Sequence, residues 1–147
     1  MFKHILIPTD GSPVAAKAVK AGIAFAKEAG ARVTGYYALE PLYPHVYGEG
    51  YLVDGKLLAE FDKRARQVGE RYVAGIGKAA KAAGVPFRPL VARADAPYAG
   101  IVAAAKKQKC DAIFMASHGR RGLAGIVVGS VTTKVLAHST IPVLVYR

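Results

Sequence analysis

The chain has 147 residues, enough for one domain with a full hydrophobic core and no need of staples. Its 52% hydrophobic and 21% charged residues exclude a disordered chain, and its single cysteine, Cys110, excludes an internal disulfide and leans toward a reducing compartment. With 21 Lys and Arg against 10 Asp and Glu, the formal net charge of +11 favours anionic partners in general.

In chain order, the apolar residues 5–8 read as a buried strand. Ser12 is placed to cap a helix that Pro13 opens. Ala15, Ala18, Val19, Gly22, Ile23 and Ala26 give that helix its buried face, and Gly30 stops it. Residues 32–39 are a second strand. Between Glu40 and Gly55 the pattern is lost among Pro41, Pro44, Gly48 and Gly50, with Tyr43, Tyr47 and Tyr51 interspersed. A loop of this length inside a small domain is usually functional, and it is expected to act as a lid. A long amphipathic helix follows, with Leu58, Phe61, Ala65, Val68, Tyr72, Ile76, Ala79 and Ala83 on one face and Gly84 at its end. Residues 86–92 form a third strand. Asp95 is expected to cap the next helix, with Pro97 in its first turn and Tyr98, Ile101, Val102 and Ala105 turned inward. Residues 111–116 are a fourth strand, 130–138 a short helix, and 142–146 a fifth strand. Strands alternating with helices imply α/β architecture: a single doubly wound domain over residues 1–147, with a five-stranded parallel sheet and helices on both faces. Ligands of such sheets bind beyond the carboxyl ends of the strands, where strand order reverses.

The segment with most chemistry runs from Ala116 to Ser130, from a strand end to a helix start. Gly119, Gly122, Gly125 and Gly129 let the backbone approach a ligand closely. Bare N–H groups at a helix start attract anions, Ser130 and Thr132 add hydroxyls, and Arg120 and Arg121 add charge. A phosphate site is one reading; a glycine-rich surface loop is the other. It is neither a Walker A loop, which needs a Lys beside Ser or Thr, nor the dinucleotide fingerprint, which follows the first strand.

Four segments together carry a resemblance: ILIPTDGS at residues 5–12, MASHG at 115–119, GSVT at 129–132 and PVLV at 142–145. With them the chain resembles the universal stress protein family over nearly its whole length. The ATP-binding branch carries Gly-x2-Gly-x9-Gly-Ser/Thr. Here Gly119 takes the second glycine, Gly129 and Ser130 close the motif, and Ala116 stands at the first glycine. If Ala116 needs φ > 0, or if a ribose crowds it, the extra methyl weakens binding by about 1 kcal/mol. The resemblance implies strand order 3-2-1-4-5 and a homodimer through the last strand, residues 142–146, whose apolar edge needs covering. It implies an ATP-binding, stress-response or signalling module that works as a nucleotide-dependent switch, through a protein partner that the sequence does not identify. Pro8, Thr9 and Asp10 would lie at the nucleotide, Asp10 near the adenosine portion or holding the turn. The Ala38 backbone would pair with the adenine edge. Met115, Ser117, His118, Gly119 and Arg120 would line ribose and phosphates, and Gly129, Ser130, Val131 and Thr132 the phosphate chain.

Mg or Mn, if used, would be held mainly by phosphates and water, since no carboxylate cluster is visible. A slow ATP hydrolase is the first alternative, but beyond Asp10 no base is evident and His118 lacks an orienting partner. A stress protein of the non-ATP-binding branch, acting through protein or nucleic-acid contacts, is the second. The basic residues Lys17, Lys20, Lys27, Lys78 and Lys81 are scattered along helix faces as solubilising charge, so nucleic acid is not expected. No apolar run is long enough for a membrane span or a leader, so a cytoplasmic protein is expected. His4, His45 and His138 read as surface or strand-end residues, and Cys110 as a packed one.

Overall fold

Period-two alternation in the strands decides which helices cover which face of the sheet. The computed structural model describes residues 1–42, 54–119 and 128–147. Its elements are β1 (His4–Pro8), α1 (Pro13–Ala29), β2 (Arg32–Leu39), α2 (Gly55–Ala83), β3 (Phe87–Arg93), α3 (Pro97–Lys107), β4 (Ala112–Ala116), α4 (Ser130–His138) and β5 (Val143–Tyr146). Ile5, Ile7, Val33 and Phe114 point to one side and meet Val19 and Ile23 of α1 and Ile76 and Ala80 of α2. Leu6, Tyr36, Ile113 and Met115 point to the other and meet Ile101, Ala104 and Ala105 of α3 and Val135 of α4. Burial on both faces is why the central strands read as continuous apolar runs rather than as alternating ones.

The five strands are parallel, in the order β3-β2-β1-β4-β5, as the resemblance implies. Ile5 of β1 stands opposite Val33 of β2 on one side and Ala112 of β4 on the other. The chain builds outward from β1 through β2 to β3, then crosses back to β4 and β5. The order therefore reverses between β1 and β4.

Local signals set most helix ends. Ser12 Oγ accepts the Ala15 N–H at 3.1 Å, and Pro13 opens α1. Gly30 and Gly84 end α1 and α2 in the left-handed region, at φ 63° and 72°. Asp95 is not a cap: Ala96 holds that position before α3, and no side chain bonds the helix start. With Pro97 next, one backbone donor is already missing at this end, which lowers the need for a cap.

The α2 helix also departs from its sequence pattern. Asp54 caps it, and its buried residues are Gly69, Val73, Ile76 and Ala80. Phe61, by contrast, is 57% exposed, and Ala65 is exposed as well. Length explains the difference. At ~1.5 Å per residue, 29 residues run ~43 Å, whereas an eight-residue strand covers ~26 Å, so α2 overruns the sheet. Arg93 ties the overhang down, pairing with Asp62 and donating to the Glu40 carbonyl at 2.6 Å. Most of the expected lid, residues 43–53, lies outside the described residues. Among the described residues no helix is long and apolar enough to cross a membrane.

Candidate functional site at the carboxyl ends of β1 and β4

The turn after β1 satisfies its own polar groups. Thr9 N–H donates to the Tyr36 carbonyl at 2.9 Å, which keeps β1 and β2 paired to the end. Thr9 Oγ1 accepts the Gly11 N–H at 3.1 Å, and Asp10 Oδ1 accepts the Ser12 N–H at 2.9 Å. Gly11 sits at φ 78°, where side chains are strained, and the Tyr72 ring of α2 fills the space its Cβ would need. Tyr72 in turn packs on Tyr37, with ring centroids 5.8 Å apart. Tyr72 was expected only as part of a helix face. No local signal ties it to Gly11, because α2 and the β1–α1 turn meet only in the folded chain.

Across the strand-order reversal, β4 ends against the same turn. A Cβ on Gly119 would land on Asp10 Oδ2. One Asp10 oxygen thus holds the turn, the second of the two roles considered for it, and the other lies against Gly119. Ser117 N–H donates to the Tyr146 carbonyl at 2.8 Å, and Ser117 is 1% exposed. Its hydroxyl lies 2.9 Å from His118 Nδ1. The buried serine thus gives His118 an orienting partner that was not expected from the sequence.

Gly129 N–H donates to the Ser117 carbonyl at 2.6 Å, bringing the start of α4 back onto the end of β4. A Cβ at 129 would sit 3.0 Å from His118 Cα, so any other residue there would be tightly packed. Gly129 is the N-cap residue of α4, and no side chain caps the helix. The first N–H groups, around exposed Ser130 and half-buried Val131, are therefore uncapped by side chains at this end of the sheet. Thr132 is 2% exposed, and its hydroxyl donates to the Ala116 carbonyl at 2.9 Å, so it fastens α4 to β4.

Ala116 is the last residue of β4, paired with Tyr146. Among the described non-glycine residues, Lys109 is the one with positive φ, so Ala116 carries no left-handed strain. Of its two expected costs, only crowding by a ligand remains. Pro8 ends β1, and Ala38 lies half-buried in β2, packed against the α3/α4 core. Met115 is 5% exposed and belongs to that core. Pro8, Thr9, Asp10, Met115, Ser117, His118, Gly119 and Gly129–Thr132 are thus gathered at one pole of the sheet. Arg120 lies outside the described residues. Among the described residues no cluster of three His, Cys, Asp or Glu could hold a metal.

Two residues expected to be ordinary behave otherwise or settle an open point. His4 is 7% exposed, not at the surface, and its Nε2 lies 2.8 Å from Thr34 Oγ1. Burial chiefly, with Arg32 adding to it, lowers its pKa below the usual 6.5. Cys110 is buried, and burial pushes its thiol up to about 11, which makes it a packed cysteine and not a reactive one.

The topology and the pole just described define the chain as a doubly wound α/β protein whose polar, glycine-containing strand ends meet at the β1/β4 reversal. The universal stress protein family model matches residues 1–147, so the chain belongs to that family. It is 34% identical to the universal stress protein MJ0531 of Methanocaldococcus jannaschii, over the whole of this chain and 83% of that protein. A universal stress protein of Thermus aquaticus, encoded in the QAH/OAS sulfhydrylase 3′ region, is 31% identical over the whole of both chains. Among solved structures, that of the hypothetical protein MJ0577 superposes with TM-score 0.83 at 28% identity, covering 99% of this chain and 95% of the other. A universal stress protein solved in complex with cAMP shares the fold at 23% identity, with TM-score 0.69, covering 99% of this chain and 97% of that one.

Proposed function

We propose that this chain binds an adenine nucleotide, ATP foremost, at the carboxyl ends of β1 and β4, and that occupancy switches its contacts with a protein partner. The observation that carries this reading is the arrangement of polar groups at that pole. Asp10 Oδ2, against Gly119, is an acceptor suited to hydroxyl or amine donors, the groups a nucleoside offers. The uncapped start of α4 at Gly129 and Ser130 is a donor end suited to phosphate. An acceptor at one end and an anion site at the other match a nucleoside phosphate better than a free phosphate. Support from relatives comes from two universal stress proteins solved in complex with cAMP and with dAMP, the latter from Archaeoglobus fulgidus. In this reading Mg or Mn is held mainly by the phosphates, and a second copy pairs along β5.

The test is the ATP-dependent melting midpoint with magnesium present. For a micromolar dissociation constant, hundredfold excess ligand stabilises the folded state by about 2.7 kcal/mol. In a domain of this size that is a rise of roughly 5–10 °C. Adenosine and inorganic triphosphate, each offering one half of the ligand, should each give a smaller rise. Ala116→Gly should bind as well as the parent or better, since only ligand crowding is at stake there. No shift with any adenine nucleotide, in the parent or in Ala116→Gly, would refute the assignment.

A further inference from the structure

We propose that the opposite pole of the sheet, at the amino ends of the strands, is a second anion site, built for a small multivalent phosphate-class anion. There a recess of about 450 Å³ is lined by Lys3, His4, Arg32, Lys109 and Asp111, among others. Parallel strands place Lys3 and His4 (start of β1), Arg32 (start of β2) and Asp111 (before β4) on one edge. The β1 strand, five residues and ~17 Å long, separates this recess from the Asp10–Gly119 contact.

Charge points to the ligand. Three cations share the recess with one carboxylate, whose oxygens are held by backbone N–H groups. Asp111 Oδ2 accepts the Lys3 N–H at 2.8 Å, and Oδ1 the His4 N–H at 3.0 Å, so it fastens the start of β1. The ion pairs among the described residues are Arg64–Glu60 and Arg93–Asp62; neither uses Lys3, Arg32 or Lys109. Three cations against one carboxylate leave a net positive recess, which attracts an anion that can bridge them.

Two independent observations sharpen this. Lys109 occupies the left-handed turn after α3, at φ 55°, where Gly30 and Gly84 serve the equivalent turns after α1 and α2. A lysine there carries backbone strain that glycine would avoid, and in return sets a cation at the recess. His4, buried to 7% exposure, lines the same recess, with its Nε2 held by Thr34 Oγ1. The charged and polar groups acting on its ring are Arg32 of β2, Arg88 of β3, Asp111 before β4 and the Lys109 carbonyl. An anion bound at Arg32 would cancel part of the cationic field on His4, so the ring reports occupancy without touching the ligand.

Pyrophosphate, at low salt and without metal, is the probe. Calorimetric titration is run on the parent, Lys109→Gly, and the Arg32→Ala/Lys109→Gly double variant, with His4 ring resonances followed by NMR. Expected are a saturable shift of the His4 signals, an upward move of the His4 pKa, and about tenfold weaker binding for each cation removed. Lys109→Gly relieves strain and so is expected to fold at least as well as the parent, which keeps the test open if the double variant fails to fold. The ATP-induced melting shift should survive in both variants, which separates this pole from the nucleotide site. Unmoved His4 resonances, or equal affinity in parent and Lys109→Gly, would overturn the proposal.

Discussion

Gly119→Ala is the sharpest probe of the contact that joins β1 to β4 at their carboxyl ends. Gly119 is not among the described residues with positive φ, so the torsional cost of alanine is small and the steric cost dominates. The new methyl would sit well inside contact distance of Asp10 Oδ2, and Asp10 Oδ1 is already held by the Ser12 N–H at 2.9 Å. The carboxylate therefore cannot swing aside without giving up that bond. Overpacking costs about 1–3 kcal/mol and the lost hydrogen bond about 1 kcal/mol, while alanine regains about 0.5–1 kcal/mol by restricting the unfolded chain. The net is a loss of about 1–3 kcal/mol, or a melting midpoint lower by roughly 2–10 °C. In an Asp10→Ala background the obstruction is gone, and Gly119→Ala should cost close to nothing. Urea melts of the four proteins then give a coupling of about 1–2 kcal/mol. A neutral Gly119→Ala, or an equal cost in both backgrounds, would show that the two residues do not meet.

Other expectations follow from single residues. Lys109→Gly should raise stability by about 1 kcal/mol, read as a midpoint higher by roughly 2–4 °C, because it removes a left-handed lysine; an unchanged or lower midpoint would mean that the turn is not strained. His4, with its pKa lowered in the fold, contributes stability that is fully present above pH 6.5 and declines as pH falls through 6.5 toward the folded value, since the unfolded chain then binds more protons. His4→Gln, which keeps a polar partner for Thr34, should flatten that decline in pH-dependent chemical melts. At the sheet edge, β5 leaves Tyr146 37% exposed. Light scattering at micromolar concentration should therefore give a dimer, and a stable monomer there would count against pairing along β5.

The element order was legible because each helix and strand carries its own signal. Ser12 with Pro13 starts α1, Gly30 and Gly84 stop α1 and α2, and apolar runs mark β1 and β4 within one residue of their ends. These signals are local: a cap, a turn or a periodicity needs only its near neighbours in the chain. Where local chemistry is ambiguous the reading slipped. Asp95 looks like a cap and is not one, and Phe61 fits a buried helical face that extends beyond the sheet.

What the sequence by itself determined is the alternating α/β pattern, the glycines of the site, and the family that carries both. The tertiary structure decided which residues meet. That the end of β1 faces the end of β4 follows from the crossover after β3, and only then does Asp10 press on Gly119 and Tyr72 cover Gly11. That Ala116 is unstrained depends on its pairing with Tyr146, far along the chain. The basic recess at the other pole is built from Lys3, Arg32 and Lys109, which no spacing relates. Parallel strands bring such residues together because every strand starts at the same edge, so side chains distant in sequence converge without leaving a periodic trace.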